Sequence, residues 1–340
     1  MMAKRVWAWG SLVALALGLA LRPSPVGGIG QVSLSLSGPS YPWNIERVKA
    51  PQAWSITQGS PEIVVAVIDS GIDFSLPELA EVRWTNQNEV LNGKDDDGNG
   101  YIDDLYGWDF RNNVPAHLRR TPIHYHGTSV ASVIAAYAQN IVGVAPKVRL
   151  MDVRFLDSQG LFYERDWKKL AQAIDYAVQN GARIINLSLY AKGNPPAVVM
   201  EALRRAWEKG VIVITIAGND GRSGVNPLGR PDCVLTVAAT DRADRPASFS
   251  NYGPEVDLSA PGVEIPALLP GGSVGSFSGT SFAAPHVSGA LALILSANPG
   301  LPGSQAVEIL LRTCGKLAAE ELRVGRGLVD AARAVAAATR

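Results

Sequence analysis

The sequence has no excess charge of either sign and little cysteine. Its 31 Lys and Arg residues are balanced by 31 Asp and Glu residues over 340 positions. A chain without net charge or a block of like charge lacks the electrostatic surface that binds nucleic acid, so we expect no such partner. The two cysteines, Cys233 and Cys314, allow one disulfide at most. Two separate buried thiols suit the sequence equally well.

Long hydrophobic runs are also scarce, and the one that stands out lies at the start of the chain. Lys4 and Arg5 precede an apolar run from Val6 to Leu21 that ends in small residues. This pattern predicts a secretory signal peptide over residues 1–21 and hence a secreted protein. The run is short for a membrane span, which needs about 20 apolar residues. An uncleaved N-terminal membrane anchor is the alternative, and we expect no other membrane-spanning segment.

The remainder of the sequence predicts one domain. Residues 22–40 are rich in Pro, Gly and Ser, which is typical of a linker. From residue 41 to residue 340 there is no second linker, repeat or low-complexity segment. We therefore expect a single domain over residues 41–340, present as a monomer.

Short apolar runs alternate with helical patterns along this domain. The runs are rich in β-branched residues and apolar on both faces, as strands of a covered parallel sheet are. They span Glu62–Asp69, Val148–Asp157, Ala182–Leu189, Gly210–Gly218 and Cys233–Thr240. Helical patterns occupy Tyr163–Gly181 and Pro196–Gly210, each ending in glycine. The alternation predicts an α/β fold, with a doubly wound, mostly parallel sheet and helices on both faces. In such sheets the active cleft lies beyond the carboxyl ends of the strands.

Ser281 has a local sequence that packing does not require. It precedes a run, residues 282–298, that is apolar nearly all round and predicts a buried helix. Backbone N–H groups at the start of a helix have no intrahelical partner and favour developing negative charge. Pro285 has no N–H and cannot bond the Ser281 carbonyl four residues earlier. The sequence therefore favours a role for Ser281 outside the core.

Three other polar residues supply what a catalytic serine needs. A serine hydroxyl is a poor nucleophile unless a base takes its proton, and neutral histidine has a suitable pKa. A carboxylate must then orient that histidine. Asp69 ends a predicted strand, His126 opens a small-residue helix, and Asn219 ends another strand. The Asn219 amide and the Ser281 N–H could together stabilise an oxyanion.

Each of these residues also has an ordinary structural interpretation. Asp69 and Asn219 suit turns, and a lone histidine such as His126 often lies at a helix end. The nucleophile elbow of α/β-hydrolases requires the chain order Ser, acid, His. The only histidine after Ser281 is His286, inside the adjoining helix, so that interpretation fails. The order Asp, His, Ser is the one found in subtilisin.

Four motifs together resemble those of the subtilisin-like serine proteases, the subtilase family. They are VIDSGID around Asp69, HGTSVA from His126, AGND around Asn219, and SGTSFAAPHVSGA around Ser281. The resemblance covers residues 41–340. It implies a serine endopeptidase that hydrolyses polypeptides through an acyl-enzyme, with no redox or nucleotide cofactor. Its catalytic residues would be Asp69, His126, Ser281 and Asn219.

The resemblance also implies where the substrate lies. Ser188 and Leu189 would form one wall of the pocket for the residue on the acyl side of the scissile bond. Ala217 and Gly218 would form the other wall, and an extended peptide would add as a strand. The family usually has glycine where this chain has Tyr190. A phenol there should crowd the cleft, so we expect a narrower specificity than that of a degradative subtilisin.

The segment from Lys94 to Asp104, KDDDGNGYIDD, is the most acidic in the chain. Its alternating oxygen-bearing residues and turn glycine match the first half of an EF-hand loop, although Tyr106 stands where the final Glu would be. An Asx-rich surface turn is the alternative. Close carboxylates repel one another unless a cation compensates them, so we favour a structural Ca²⁺ site. Its candidate ligands are Asp95, Asp97, Asn99, Tyr101 and Asp103.

The sequence thus predicts a secreted, calcium-stabilised serine endopeptidase. The alternative from another class is a catalytically silent homologue that binds peptides or a partner protein. All four catalytic groups are present, so the sequence gives that alternative no support.

Overall fold

The structure is a computed structural model that describes residues 41–138 and 141–340. The predicted signal peptide, residues 1–21, and the predicted linker, residues 22–40, lie outside the described residues. Both therefore stay predictions.

The strands of the described residues form one large sheet and one small hairpin. Their bounds are β1 Val64–Asp69, β2 Gly107–Asp109, β3 Val114–Pro115, β4 Arg149–Arg154, β5 Ile184–Leu187, β6 Ile212–Ile216, β7 Val234–Thr240, β8 Leu258–Pro261, β9 Ile265–Leu268 and β10 Val274–Phe277. The large sheet has the order β3-β2-β4-β1-β5-β6-β7-β8, and β9 pairs with β10.

The helices of the described residues include five of eleven residues or more. The bounds are α1 Trp43–Arg47, α2 Ala50–Ala53, α3 Pro77–Ala80, α4 Tyr125–Ala135, α5 Trp167–Gln179, α6 Ala197–Glu208, α7 Thr280–Ala297, α8 Gly303–Thr313, α9 Glu321–Val324 and α10 Ala331–Ala338. Short 3-10 turns occupy Ala116–Leu118, Glu164–Asp166 and Pro227–Gly229.

The sheet is parallel from β2 to β8, and only the short edge strand β3 runs antiparallel. The chain places β4 on one side of β1 and then crosses to place β5 on the other side. This reversal beside β1 is a topological switch point, and ligands of open α/β sheets bind in the crevice that it creates. Asp69 is the last residue of β1 and therefore lies at this crevice.

The sheet is covered on both faces, which explains why its strands are apolar throughout. Alternate residues of one strand enter two separate cores: Val65 and Val67 join one, and Ala66 and Ile68 the other. The first core also contains the apolar residues of α4, α7, α8 and α10. The second contains those of α5 and α6. The predicted doubly wound α/β fold is thus confirmed.

Helix α7 is the central helix of the first core. By length and composition alone it could cross a membrane, but 83% of its apolar window is buried inside the protein. It has to be apolar on every side because β5, β6, β7, β8, α4 and α10 all contact it. The prediction of a buried helix after Ser281 is confirmed.

Cys233 and Cys314 are free thiols, so the structure has the unpaired arrangement, although only Cys314 is buried and Cys233 is half-buried. Cys314 is buried, and burial raises the pKa of its thiol to about 12. It is therefore an unreactive core residue.

Candidate active site

Asp69 is fully buried at the carboxyl end of β1. Its Oδ1 accepts a hydrogen bond of 2.7 Å from the backbone N–H of Ser70. A buried carboxylate is costly unless its oxygens are hydrogen-bonded, and this bond fixes the carboxylate in one orientation. The other side-chain hydrogen bonds of Asp69 are to His126.

Helix α4 begins unusually close to the end of β1. A Cβ added to Gly127 would lie 2.5 Å from the carbonyl oxygen of Gly71, so only glycine allows this approach. Ser70 joins the same two segments, since its Oγ donates to the His124 carbonyl and accepts from the Gly127 N–H. These contacts bring the first turn of α4 against Asp69.

His126 faces Asp69 with one edge of its ring. Nδ1 lies 2.9 Å from both carboxylate oxygens, so Nδ1 carries the proton and Nε2 is free to accept one. Burial lowers the pKa of His126, but the charge and hydrogen bond of Asp69 outweigh burial and leave that pKa raised. The arrangement stabilises an imidazolium, which is the form that a general base acquires.

Ser281 lies in the first turn of α7 and lines the same cavity as His126. The cavity has a volume of about 420 Å³. Among the described residues no hydrogen bond is recorded between Ser281 and His126. Such bonds are often long in a free enzyme and tighten when substrate binds. The ring of Phe282 stands edge-on to His126 at 5.8 Å and limits how far the imidazole can turn.

The carbonyl of Ser281, which Pro285 leaves without a helical partner, has a buried donor. Ser188 Oγ donates to it at 2.9 Å. Asn186 Nδ2 donates in turn to Ser188 Oγ, and Ser288 Oγ donates to Asn186 Oδ1. This chain of hydrogen bonds links β5 to two turns of α7 and fixes the backbone of Ser281.

The orientation of the Asn219 side chain follows from its contacts. Its Oδ1 accepts hydrogen bonds from Thr280 N at 2.9 Å and from Thr280 Oγ1 at 2.8 Å. The NH₂ group therefore points away from Thr280 and is free to donate. Because the Ser281 N–H is in the first turn of α7, it also has no intrahelical acceptor. The Asn219 NH₂ group and the Ser281 N–H are thus both available as donors.

The four residues expected to form the substrate walls lie on neighbouring segments that follow β5 and β6. Ser188 and Leu189 line the cavity that contains Ser281. Ala217 is buried, and Gly218 has a positive φ of 108°. Tyr190 crosses from the first segment to the second, where its hydroxyl donates to Asp220.

Another histidine, on α7, has a structural role. His286 is fully buried in α7, where Nδ1 contacts the Phe282 carbonyl and Nε2 contacts Asn44, both at 2.8 Å. Burial lowers the pKa of His286 to about 4. It therefore stays neutral and holds α1 against α7.

The structure brings only part of the predicted calcium loop together. Oxygens of Glu89, Asp95 and Asp97 lie within 4.8 Å of one another. Asp103 stays outside this group, because its carboxylate accepts from the backbone N–H groups of Asn92 and Gly93. The Tyr101 side chain packs on Trp108, Phe110 and Tyr176, and only its carbonyl could serve as a ligand. Asn99 donates to Asp97 Oδ2 and Asp104 Oδ2.

Glu89 is the residue of this loop that sequence reasoning missed. It lies outside the acidic run and forms no motif with it, so spacing gave no signal. Its Oε1 accepts from the backbone N–H groups of Asp96 and Asp97. Its Oε2 is buried and has no hydrogen-bond partner among residues 41–138 and 141–340. Burial raises the pKa of Glu89.

The comparisons with known proteins agree with this geometry. A family model described as the subtilase family matches residues 60–327. A thermophilic serine proteinase of Bacillus sp. (strain AK1) is 37% identical over 259 residues, which cover 75% of this chain and 58% of that protein. Thermitase of Thermoactinomyces vulgaris is 34% identical over 294 residues, or 85% of this chain and 94% of thermitase.

A solved structure, that of the prenylagaramide maturation protease PagA, is similar with a TM-score of 0.70 and 28% identity. The similarity covers 86% of this chain and 99% of that one. The family match spans well over half of the chain, and the fold, the motifs and the named relatives agree with one another. The chain belongs to the subtilase family and is a subtilisin-like serine endopeptidase.

Proposed function

We propose that this protein hydrolyses peptide bonds through an acyl-enzyme formed on Ser281. In this mechanism His126 Nε2 takes the proton of the Ser281 hydroxyl as Oγ attacks the scissile carbonyl. The resulting imidazolium then gives the proton to the leaving amine. The observation that carries the proposal is the contact of His126 Nδ1 with both oxygens of buried Asp69, in a cavity that Ser281 also lines.

Asp69 has two tasks in this mechanism. Its hydrogen bond keeps the proton on Nδ1, so that Nε2 is the basic nitrogen that faces the cavity. Its negative charge stabilises the imidazolium that forms during attack. Water then repeats the same steps on the acyl-enzyme, with His126 as the base, and releases the second product.

Asn219 and the Ser281 N–H form the proposed oxyanion hole. The tetrahedral intermediate carries a negative oxygen next to the first turn of α7, where helix N–H groups favour that charge. The two hydrogen bonds from Thr280 support the assignment of the Asn219 NH₂ group as the donor. Because the amide is already held in place, it needs little reorganisation during the reaction.

The proposed substrate is an extended polypeptide. It would run along Ser188 and Leu189 on one side and Ala217 and Gly218 on the other, and pair with them through its main chain. Cavity residues Leu161, Phe162 and Trp167 offer an apolar surface further along the acyl side. Main-chain pairing with apolar side-chain contacts suits cleavage inside a chain rather than at its ends.

Calcium is proposed as a structural ion of the loop that contains Glu89, Asp95 and Asp97. The fit rests on the donor set, three carboxylates with oxygens within 4.8 Å, and on the buried Glu89 oxygen that has no partner. Such hard oxygen ligands suit Ca²⁺. The ion would neutralise the loop and stabilise the fold, and the chemical steps do not involve it.

Secretion and a monomeric state complete the proposal. Secretion rests on the apolar run behind Lys4 and Arg5, with an uncleaved membrane anchor as the alternative. Sequencing the N-terminus of the protein recovered from the producing cells and their medium separates the two. A start beyond residue 21 in the medium supports cleavage, and an intact N-terminus in the membrane fraction supports the anchor.

The proposal is tested by digestion of an unfolded protein such as reduced casein. The wild-type chain should produce internal fragments, and Ser281→Ala and His126→Ala should not. His117→Ala is the matched control, because His117 is an exposed histidine outside the site and its loss should leave digestion unchanged. Equal digestion by the wild type and Ser281→Ala would contradict the proposal.

A further inference from the structure

Tyr190 occupies the space between the two proposed substrate walls. Its Cε2 lies 3.2 Å from the position of a Cβ built on Gly218, so the ring rests on that glycine. Its hydroxyl donates to Asp220, and Arg222 Nη2 lies 3.4 Å from the same oxygen. The side chain is thus held at both its ring and its hydroxyl. It extends from the segment of Leu189 to Gly218.

Tyr190 also lies against two cavities. One is the cavity of about 420 Å³ that contains His126 and Ser281. The other has a volume of about 340 Å³. Tyr190 lines both of them, as do Lys192 and Gly193. Of these three residues, Tyr190 is the one that reaches across to Asp220.

The second cavity, which we call the basic cavity, is lined by three cationic side chains. They belong to Lys192, Arg222 and Arg230. No acidic residue lines it within the described part of the chain. Asp220 lies 3.3 Å from Arg222 and neutralises one of the three charges. The basic cavity therefore has a surplus of positive charge and suits a carboxylate.

We propose that Tyr190 determines specificity by filling the pocket for the residue on the acyl side of the scissile bond, and that it covers a latent carboxylate subsite. This inference rests on the function proposed above. With the ring in place, only a small side chain, that of Gly, Ala or Ser, fits between the walls. With the ring removed, the pocket extends into the basic cavity and accepts Glu or Asp.

The test measures kcat/KM on peptides that differ only in the acyl-side residue: Ala, Phe, Glu or Lys. The wild type should cleave after Ala at least about tenfold better than after the other three, the size of a pocket contact. Tyr190→Gly should cleave after Glu at least about tenfold better than the wild type does. Its preference for Glu over Lys should be about fivefold to tenfold, since exposed ion pairs are individually weak.

Matched variants separate the ring from its hydroxyl and from the basic residues. Tyr190→Phe keeps the ring and should keep the wild-type preference for Ala. Tyr190→Ala repeats the removal of the ring in case the glycine variant folds poorly. Adding Arg222→Gln and Arg230→Gln to Tyr190→Gly should remove the preference for Glu over Lys and leave cleavage after Ala unchanged.

Labelling with a small dialkyl fluorophosphonate distinguishes a failure of the proposed function from a failure of the specificity proposal, because the reagent needs an activated serine and no acyl-side residue. If the wild type is not labelled, the proposed function fails and this inference fails with it. If it is labelled but cleaves after Phe as well as after Ala, the specificity proposal alone is refuted. An unchanged profile of labelled Tyr190→Gly and Tyr190→Ala also refutes it.

Discussion

Replacing Ser188 with alanine should reduce both the stability of the protein and the reactivity of Ser281, because the Ser188 hydroxyl holds the Ser281 backbone in place. Ser188 is 4% exposed and donates to the carbonyl that Pro285 cannot serve. Without it, the Ser281 carbonyl and Asn186 Nδ2 both lose a partner in the core. Each buried group left unpaired costs about 1–3 kcal/mol, so for the two groups we expect a loss of about 2–6 kcal/mol in the free energy of unfolding.

The corresponding fall in Tm is about 4–12 °C, since about 1 kcal/mol corresponds to about 2 °C in a domain of this size. Melting curves should be recorded in the Ser281→Ala background, which prevents self-digestion and keeps the carbonyl. In the active background, the rate of fluorophosphonate labelling should fall about 10- to 100-fold, because a small misplacement of a reacting group is costly.

Ser296→Ala is the matched control. Ser296 is on the same helix, α7, and its Oγ bonds to Ser60 N and the Ala292 carbonyl at the end remote from Ser281. It should lower Tm by about 2 °C, because the half-buried Ser60 N–H loses its partner while the Ala292 carbonyl keeps its helical hydrogen bond, and it should leave labelling unchanged. If Ser188→Ala labels at the wild-type rate, or if both variants lose labelling equally, the support of Ser281 by Ser188 is refuted.

Three further predictions concern the other groups. His126 must be neutral to act as a base, and its pKa is raised, so kcat/KM should fall as the pH drops through a value above about 6.5. Asp69→Asn should move this fall in kcat/KM to lower pH and reduce kcat by about 10⁴-fold. An unmoved acid limb would contradict the pairing. Asn219→Ala should reduce kcat by about 10²–10³-fold with little change in KM, a range taken from the same donor in the related subtilisin; an equal rise in KM would argue against an oxyanion role. Calcium at about 100 times its Kd should stabilise the protein by about 2.7 kcal/mol. Glu89→Gln should abolish this gain, and Glu62→Gln on the surface should not. An equal Tm with calcium and with chelator would contradict the proposed calcium site.

The central strands of the fold could be predicted from sequence because burial on both faces leaves a simple signal. The runs that ended at Asp69 and Thr240 coincide with the ends of β1 and β7. The hairpin β9–β10 was missed, because β10 contains Gly275 and Ser276 and its residues are half-buried or exposed. Its pairing with β9 is a tertiary contact that no local periodicity records.

The identities of the candidate catalytic residues were readable because each stands within a dense local motif. The hydrogen bonds that hold these residues in place could not be predicted from the sequence, since they join residues far apart in the chain. Ser188 and the Ser281 carbonyl are 93 positions apart, yet they share one hydrogen bond. The position of Pro285 in the sequence predicts that the Ser281 carbonyl lacks its helical hydrogen bond. Only the fold identifies Ser188 as the donor that replaces it. Glu89 was missed for a different reason, since it is close to Asp95 in the chain but forms no motif with the acidic run.

The most direct test of the mechanism is covalent labelling of the purified protein with a fluorophosphonate, followed by peptide mapping. We expect one label per chain, on Ser281, that disappears in Ser281→Ala and is strongly reduced in His126→Ala. Both variants should retain the wild-type circular dichroism spectrum. A folded wild-type protein that takes up no label, or that carries the label on another serine, would contradict the assignment of Ser281 as the activated nucleophile.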